Sequence, residues 1–370
     1  MPANAQAQEG PLRSTLPQLH VMVNGARLPQ EAYDAILEGV VDSSLHLPDA
    51  CTLRIHDQDF KWLDSNHWKE GNSVKIEAGQ GQQQPLIKVF EGEITTLELD
   101  LAAMGTAMLT VRCMDKAHRL HRGKRRETYV NVKDSDIVNK IAQRNGMSSQ
   151  IDTTNVVHEW VIQSNQTDWE FMQMLAKRNG HRVYLEDADK LCFRKVENTT
   201  PNTLQLEWGK DLRSFRIRVS SSNQVSKVTV RSWDPIQKQT IVGQATRPNG
   251  GPQIAMRGEG GPAAQQAFGQ AEMVVVDHPV HNQQQANAIA QSLCDEIGAS
   301  FIEADGLCYN HPELSPGDSV ELKNIGNRFN GKYIITTVTH TFSAAEGFST
   351  QFVISGKKPA TLLSILGGGQ

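Results

Sequence analysis

The sequence predicts a mainly β chain of the α+β class, with two β sections flanking an α/β section. Three observations predict it. Short alternating strands with no helices between them fill about His20 to Asp115. Two helices with clear stop signals mark about Ala117 to Glu197, and strands then return around one further helix. Many short strands without intervening helices read as a small barrel or a strongly bent sheet.

Taken in order, Val21 and Val23 alternate ahead of the turn Asn24-Gly25. Val40 to Leu47 and Leu53 to Ile55 flank the turn signal Leu47-Pro48-Asp49. Val74 to Ile76 alternates, and Leu86 to Leu99 with Ala107 to Cys113 reads as a long strand pair bending at Gly105. In the middle section Ser135 is the expected cap of a helix carrying Ile137, Val138, Ile141 and Ala142, which ends at Gly146. A second helix is fully specified. Thr167 and Glu170 form a capping box, Trp169, Met172, Leu175 and Ala176 share one face widened by Phe171 and Met174, and Gly180 stops it.

The two helices end alike, Ile141-Ala142-Gln143-Arg144-Asn145-Gly146 against Leu175-Ala176-Lys177-Arg178-Asn179-Gly180. Either a duplication or shared C-cap chemistry produces this match, and the shared cap is the simpler cause. Val183 to Lys195 reads as a hairpin, and Phe215 to Val219 and Val225 to Trp233 as strands. Gly243 to Gln270 is Gly/Pro/Gln-rich and reads as a loop or extension. A third helix over about Asn282 to Ile297 precedes the strands Ser319 to Lys323, Tyr333 to Phe342 and Phe348 to Ser355.

Composition narrows the function. The chain has 370 residues, too many for one typical core, so two to four subdomains are expected. A formal charge of −4 gives no general attraction to nucleic acid or anionic membrane. The five cysteines contain no CxxC pair, which speaks against a zinc finger or a disulfide framework and for buried, reduced thiols. No apolar run reaches the ~18 residues of a membrane span, and Met1 to Pro17 lacks the pattern of a Sec-type signal peptide.

The search for chemistry finds no G-x-S-x-G elbow, no phosphate-binding loop and no H-E-x-x-H. Gly258, Gly260 and Gly261 follow no strand and open no helix, so no phosphate-binding turn is expected there. Lys116 to Arg126 is the one dense basic run, read as a solvated connector, with phosphate binding as the alternative. Its His118 and His121 have metal-ligand spacing but no third ligand nearby. The carboxylate pairs Glu91/Glu93 and Asp187/Asp189 read as surface charge, and His340 as a hydrogen-bonded histidine without a catalytic partner.

Thr167-Asp168-Trp169, Phe171-Met172, Leu175-Ala176 and Gly180 resemble, in order, the hallmark of the phage late control protein D family, which includes the hub part of the valine–glycine repeat protein G of type VI secretion. Gly39 to Asp49 resembles that family's early strand pair, and Asp115 to Ile141 its basic junction and following helix. Leu314-Ser315-Pro316-Gly317-Asp318, Phe329-Asn330-Gly331-Lys332-Tyr333 and Val338-Thr339-His340 are similar to its second-barrel signature.

The resemblance implies two small β-barrel domains with intervening α/β elements, assembled as a trimeric baseplate hub of a phage tail or contractile injection system. Such a homotrimer joins a six-fold tail tube above to a three-fold spike below, among other baseplate components. It lines a channel that nucleic acid enters only as passing cargo. It implies no enzyme activity, no cofactor, no metal and no small-molecule substrate, and cytoplasmic synthesis before assembly into a virion or injection particle. The structural motif residues it implies are Asp168, Trp169, Phe171, Leu175, Gly180, Pro316, Gly317, Gly331, Tyr333 and His340.

The expected divisions are 1–17 (flexible N-terminus), 18–115 (first barrel), 116–200 (α/β), 201–242 (strands of the second barrel), 243–270 (loop or extension), 271–300 (helical insert), 301–358 (remainder of the second barrel) and 359–370 (tail toward the spike). Fused relatives continue beyond Pro359 into a spike, so the spike is expected as a separate chain or as a portion outside this sequence. A tail-associated cell-wall hydrolase and a nucleic-acid adaptor through Lys116 to Arg126 are the rival readings.

Overall fold

The computed structural model describes residues 18–45, 47–79, 85–102, 106–186, 189–195, 203–235, 237–248, 253–254, 260–276, 280, 282–343 and 347–355. The expectations for 1–17, 359–370, Gly105, Asp187 and parts of 243–270 lie outside them. The first β unit comprises β1 (Gln18–Val23), β2 (Ala26–Arg27), a short helix α1 (Gln30–Asp34), β3 (Ile36–Ser44), β4 (Ala50–His56), β5 (Ser73–Gly79), β6 (Ile87–Ala102) and β7 (Thr106–Met114). A 3-10 turn at Lys116–His121 leads into the α/β unit. That unit holds β8 (Arg125–Lys133), α2 (Asp134–Arg144), β9 (Ser148–Ile151), β10 (Val157–Gln166), α3 (Asp168–Asn179), β11 (His181–Glu186) and β12 (Lys190–Lys195).

The remainder runs β13 (Thr203–Glu207), β14 (Leu212–Val219), β15 (Lys227–Asp234), β16 (Gln239–Ala245), β17 (Gln253–Ile254), α4 (Gly260–Phe268), β18 (Glu272–Val275), α5 (Gln283–Ala299), β19 (Ile302–Tyr309), β20 (Ser319–Lys323), β21 (Gly331–Ile334), β22 (Thr337–Ser343) and β23 (Gly347–Ser355). The chain is mainly β, as its sequence predicts, and its dominant feature is a large curled half-barrel sheet.

That 11-stranded sheet has the order β14-β19-β23-β22-β3-β4-β7-β6-β5-β1-β2, so the two β units share one ladder. The joint is the antiparallel pair β3–β22, in which Gly39 lies opposite Phe342 and Asp42 opposite Thr339. A side chain at Gly39 would overlap the Phe342 ring, with an added Cβ only 1.9 Å from its tip, so glycine is what lets that ring lie flat on the strand. The Thr339 hydroxyl donates to Asp42 Oδ1 at 2.6 Å. Phe342 and Phe348 of the second unit complete the core built by Val41, Leu53, Ile76 and Leu109 of the first. The second unit has its own core around Leu212, Ile302, Tyr333 and Phe352, closed by the sheet β13-β20-β21-β17.

Three sequence expectations need correction. The strands of 201–242 do not all join the second β unit. β14 does, but β15 and β16 pair with β18 in a separate three-stranded sheet. Its core of Val228, Val230, Ile241 and Val275 is covered by Ala286, Ile289 and Ala290 of α5. Strand β18 therefore also opens the stretch expected to be only a helical insert.

Gly243 begins no loop. It sits within β16, where an added Cβ would lie 2.2 Å from the Ala286 backbone, so its bare Cα lets α5 rest directly on the sheet. The helix α4 follows inside the same Gly/Pro-rich stretch and is opened by Gly260 and Gly261, where the sequence is expected to open no helix. Lastly, Ser135 does not cap α2. The helix starts one residue earlier, Asp136 accepts from the Lys133 N–H at 3.4 Å, and the Ser135 N–H donates to Thr154 Oγ1 at 3.2 Å. Asp134 occupies the first turn instead.

Candidate functional site

Asp168, Trp169, Phe171, Leu175 and Gly180 belong to a helix latch inside the α/β unit, Pro316, Gly317 and His340 line a cleft where the three units meet, and Gly331 and Tyr333 lie in β21 beside it. The latch starts from local chemistry. Thr167 Oγ1 accepts from the Glu170 N–H at 3.1 Å, and Glu170 Oε2 accepts from the Thr167 N–H at 2.9 Å, so the expected capping box is formed. Gly180 ends α3 with φ of 64°, the left-handed conformation that glycine takes without strain. Trp169, Phe171, Met172 and Leu175 are buried, with Phe171 stacked 5.9 Å from Tyr129 and Trp169 tilted against His121 at 5.4 Å. Each such side chain contributes about 1.5–3 kcal/mol through burial.

Asp168 opens α3 with its carboxylate buried. Oδ1 accepts from Arg144 Nη2 at 2.7 Å and Gln163 Nε2 at 3.0 Å, and Oδ2 from Asn145 Nδ2 at 3.2 Å. Burial opposes ionisation, but these hydrogen bonds outweigh it and hold the carboxyl below the usual carboxylate range. The other end mirrors this. Asp134 opens α2 and accepts from Arg178 Nε at 2.6 Å and Asn179 Nδ2 at 2.6 Å.

Each helix thus presents an aspartate at its start to the Arg-Asn pair ending the other, and the helices run antiparallel. Both asparagines also close back on their own helix, Asn145 on the Ile141 carbonyl and Asn179 on that of Leu175. The strands follow suit, β8 pairing antiparallel with β10 while β9 and β11 flank β12. The repeated Arg-Asn-Gly therefore serves a reciprocal contact between the helices in addition to capping each of them.

The cleft, of about 510 Å³, is lined by all three units. The first supplies Asp49, Lys88 and Asp115, the α/β unit Arg182 and Tyr184, and the second Pro316, Gly317 and His340. Gly317, with φ of 98°, makes the turn and donates its N–H to the Ile335 carbonyl at 2.8 Å, while Asp318 Oδ2 accepts from the Ser315 N–H at 3.0 Å. His340 is buried. Its ring donates through Nε2 to the Leu314 carbonyl at 3.2 Å, places Nδ1 3.0 Å from the Thr350 hydroxyl, and stacks on Phe348. Burial pushes its pKa down to about 4, so the imidazole is neutral at physiological pH and pins the Leu314 turn onto the sheet. Tyr333 is also buried, its hydroxyl donating to the Phe329 carbonyl at 2.5 Å, and Gly331 opens β21 opposite Leu322.

Sequence reasoning missed the Asp49/Asp115 pair. Asp115 Oδ2 accepts from the Asp49 N–H at 3.1 Å, and Oδ1 from the Ala117 N–H at 2.9 Å. Burial is the first cause that pushes both carboxyls up, Asp49 to about 6 and Asp115 to about 8; repulsion from Asp49 adds to it at Asp115, and repulsion from Asp42 at Asp49. The one available signal was Asp49 within Leu47-Pro48-Asp49, which reads only as a turn. The pair tethers the first β unit to the junction.

The basic run divides. His118 and Arg119 both reach Glu93, at 3.3 Å and 2.6–3.0 Å, and Ala117 and Leu120 are buried, so its first half is a packed turn rather than a solvated connector. His121 packs against Trp169 and does not converge with His118. Among the described residues, no group of three or more His, Cys, Asp or Glu side chains is placed to hold a metal ion, and no helix is long and apolar enough to cross a membrane. The five cysteines are buried and joined in no disulfide.

A sequence model described as the Alg8 N-terminal domain matches residues 13–344. The chain belongs to that family. No curated protein matches it. Among solved structures, it is similar to the 43 kDa tail protein of prophage MuSo2 from Shewanella oneidensis, at a TM-score of 0.70 and 13% identity over 91% of this chain and 98% of that one. The tail protein from Neisseria meningitidis MC58 gives a TM-score of 0.68 at 14% identity, over 92% and 96% of the two chains. An Escherichia coli protein described as a component of the type VI secretion system gives 0.57 at 13% identity, over 92% and 79%. At these identities the likeness establishes a shared fold.

Proposed function

We propose that this chain is a structural, non-enzymatic baseplate hub of a contractile tail-like machine, a homotrimer that adapts a six-fold tail tube to a three-fold spike. The observation that carries the reading is the single sheet running through both β units at β3–β22. Two β units locked in one ladder behave as one rigid block, and three such blocks offer six similar surfaces around a three-fold axis. Near-complete overlap with two tail proteins, one of them from a prophage, supports the same role. The component from the type VI system extends it to injection machines.

In this reading 18–115 and the strands around 301–355 face the tube. The α/β unit of 116–200 buttresses them through Asp168, Trp169, Phe171, Leu175 and Gly180. Pro316, Gly317, Gly331, Tyr333 and His340 fix the second unit's turns. Subunits are made in the cytoplasm and act after assembly into the particle, with no cofactor and no small-molecule substrate. Mass measurement of the purified protein, alone and with its tube and spike proteins, tests the proposal. A three-fold assembly is expected; a monomer that persists at micromolar concentration with both partners present would overturn it.

A further inference from the structure

Two surfaces expose large apolar side chains beside charge of opposite sign. The first is the far end of the β6–β7 hairpin. Strand β5 accompanies β6 only as far as Ser73 opposite Glu93, whereas β6 runs on to Ala102 with β7 on its other side. Among the described residues, no strand pairs with that edge from Thr95 onward. A free strand edge is a ready docking element. Leu101 is 64% exposed and Leu99 36%. Asp100 between them is exposed and has no ion partner among the described residues, whereas Glu98 is held by Arg112 at 3.2 Å.

The second surface is the outer face of the two-stranded sheet β8–β10. Trp160 lies directly opposite Val130, and Ile162 opposite Thr128. Trp160 is 60% exposed and Val130 65%, while the inner face buries Tyr129 and Val161 in the unit's core. Arg122, Lys124 and Arg126 border the patch, exposed and without ion partners among the described residues. An exposed tryptophan edged by arginines has the composition of an interface anchor.

We infer that the unpaired edge of one subunit's β6–β7 hairpin docks on the basic β8–β10 face of the next, so that Leu99 and Leu101, on one side of β6, pack on Trp160 and Val130 while Asp100, on its other side, meets the arginines. This rests on the hub reading, and it names the subunit contact that the hub requires. The contact joins two different patches of one chain, so it is heterologous, and a heterologous contact that closes on itself makes a ring. Charge selects this pairing over the other exposed apolar face, which carries Trp233 and Val276. There Lys227 and Glu272 lie 3.6 Å apart and offset each other, leaving Arg231 as the cation beside Trp233, against three on the β8–β10 side.

The test uses the full chain with either L99D/L101D or V130D/W160D. Circular dichroism confirms each variant's fold, and sedimentation its mass. Each variant is expected to be a monomer where the wild type is a ring, with contact affinity at least about tenfold weaker. Mixed one to one, they are expected to form a dimer and stop, because one intact hairpin still meets one intact sheet face. Wild-type mass in both variants would overturn the inference while leaving the hub reading intact. A wild-type monomer in the presence of tube and spike proteins would overturn both. Should a double variant lose its fold, R126E reads the same contact. It should weaken the ring, D100K in the same chain should restore it, and failure of that rescue would count against the contact.

Discussion

Substituting Asp168 by asparagine keeps the side chain's shape and removes its charge. In the native structure three donors converge on the two carboxylate oxygens, from Arg144, Asn145 and Gln163. An asparagine retains one oxygen and turns an N–H₂ group toward at least one of those donors. Breaking a buried ion pair costs about 3–5 kcal/mol, because the remaining charge is left desolvated. Arg144 keeps a 2.6 Å contact with Glu127 and its side chain is 28% exposed, which places the cost near the low end, about 3 kcal/mol.

Denaturant unfolding followed by tryptophan fluorescence measures it, with an unchanged m-value required. A double-mutant cycle with Arg144→Met should return a coupling of about 1–3 kcal/mol. The carboxyl titrates below its unfolded value, so its stabilisation is full above about pH 4 and is lost as pH falls through the folded value. The difference between wild type and D168N should close in that window. A variant within about 0.5 kcal/mol of wild type at pH 7, or a cycle with no coupling, would refute the latch.

Arg178→Met should give a similar loss from the opposite end, since Asp134 is almost fully buried beneath that guanidinium. Trp169→Ala should destabilise the α/β unit by about 3–5 kcal/mol, as for other large buried aromatics, and thermal melting checks it. His340 titrates near 4 when folded against about 6.5 unfolded, so the protein should lose stability as pH falls from 6.5 towards 4, by about 3 kcal/mol from this group. A His340→Gln variant should lack that slope in urea titrations at stepped pH. Gly243→Ala should cost about 1–3 kcal/mol, because the obstruction is the α5 backbone and cannot swing aside; hydrogen exchange should report the loss in β15, β16 and α5.

What was legible in the sequence follows the range of the interactions. Helix α3 was readable because its capping box, apolar face and terminal glycine act within a few residues, except that Met174, expected to widen that face, is exposed. The latch left a trace, the doubled Arg-Asn-Gly, but its partners lie 23–24 positions away for Asp168 and 44–45 for Asp134, so the trace read as a cap. The joint between the β units left less still, for Thr339 and Asp42 are 297 positions apart. Gly243 misled because a glycine that admits a helix backbone looks, in sequence, like one that makes a loop. Cys51 and Cys113 face each other across β4–β7, though their spacing in the chain gave no hint of it. Asp49 was read as part of a turn, because its polar partner Asp115 sits 66 positions further on.

Electron microscopy of the protein bound between its tube and spike partners decides whether the chain is a hub. Three copies around one axis are expected, their β units forming a six-membered ring against the tube. A single copy at that junction, or an assembly with no three-fold axis, would contradict it.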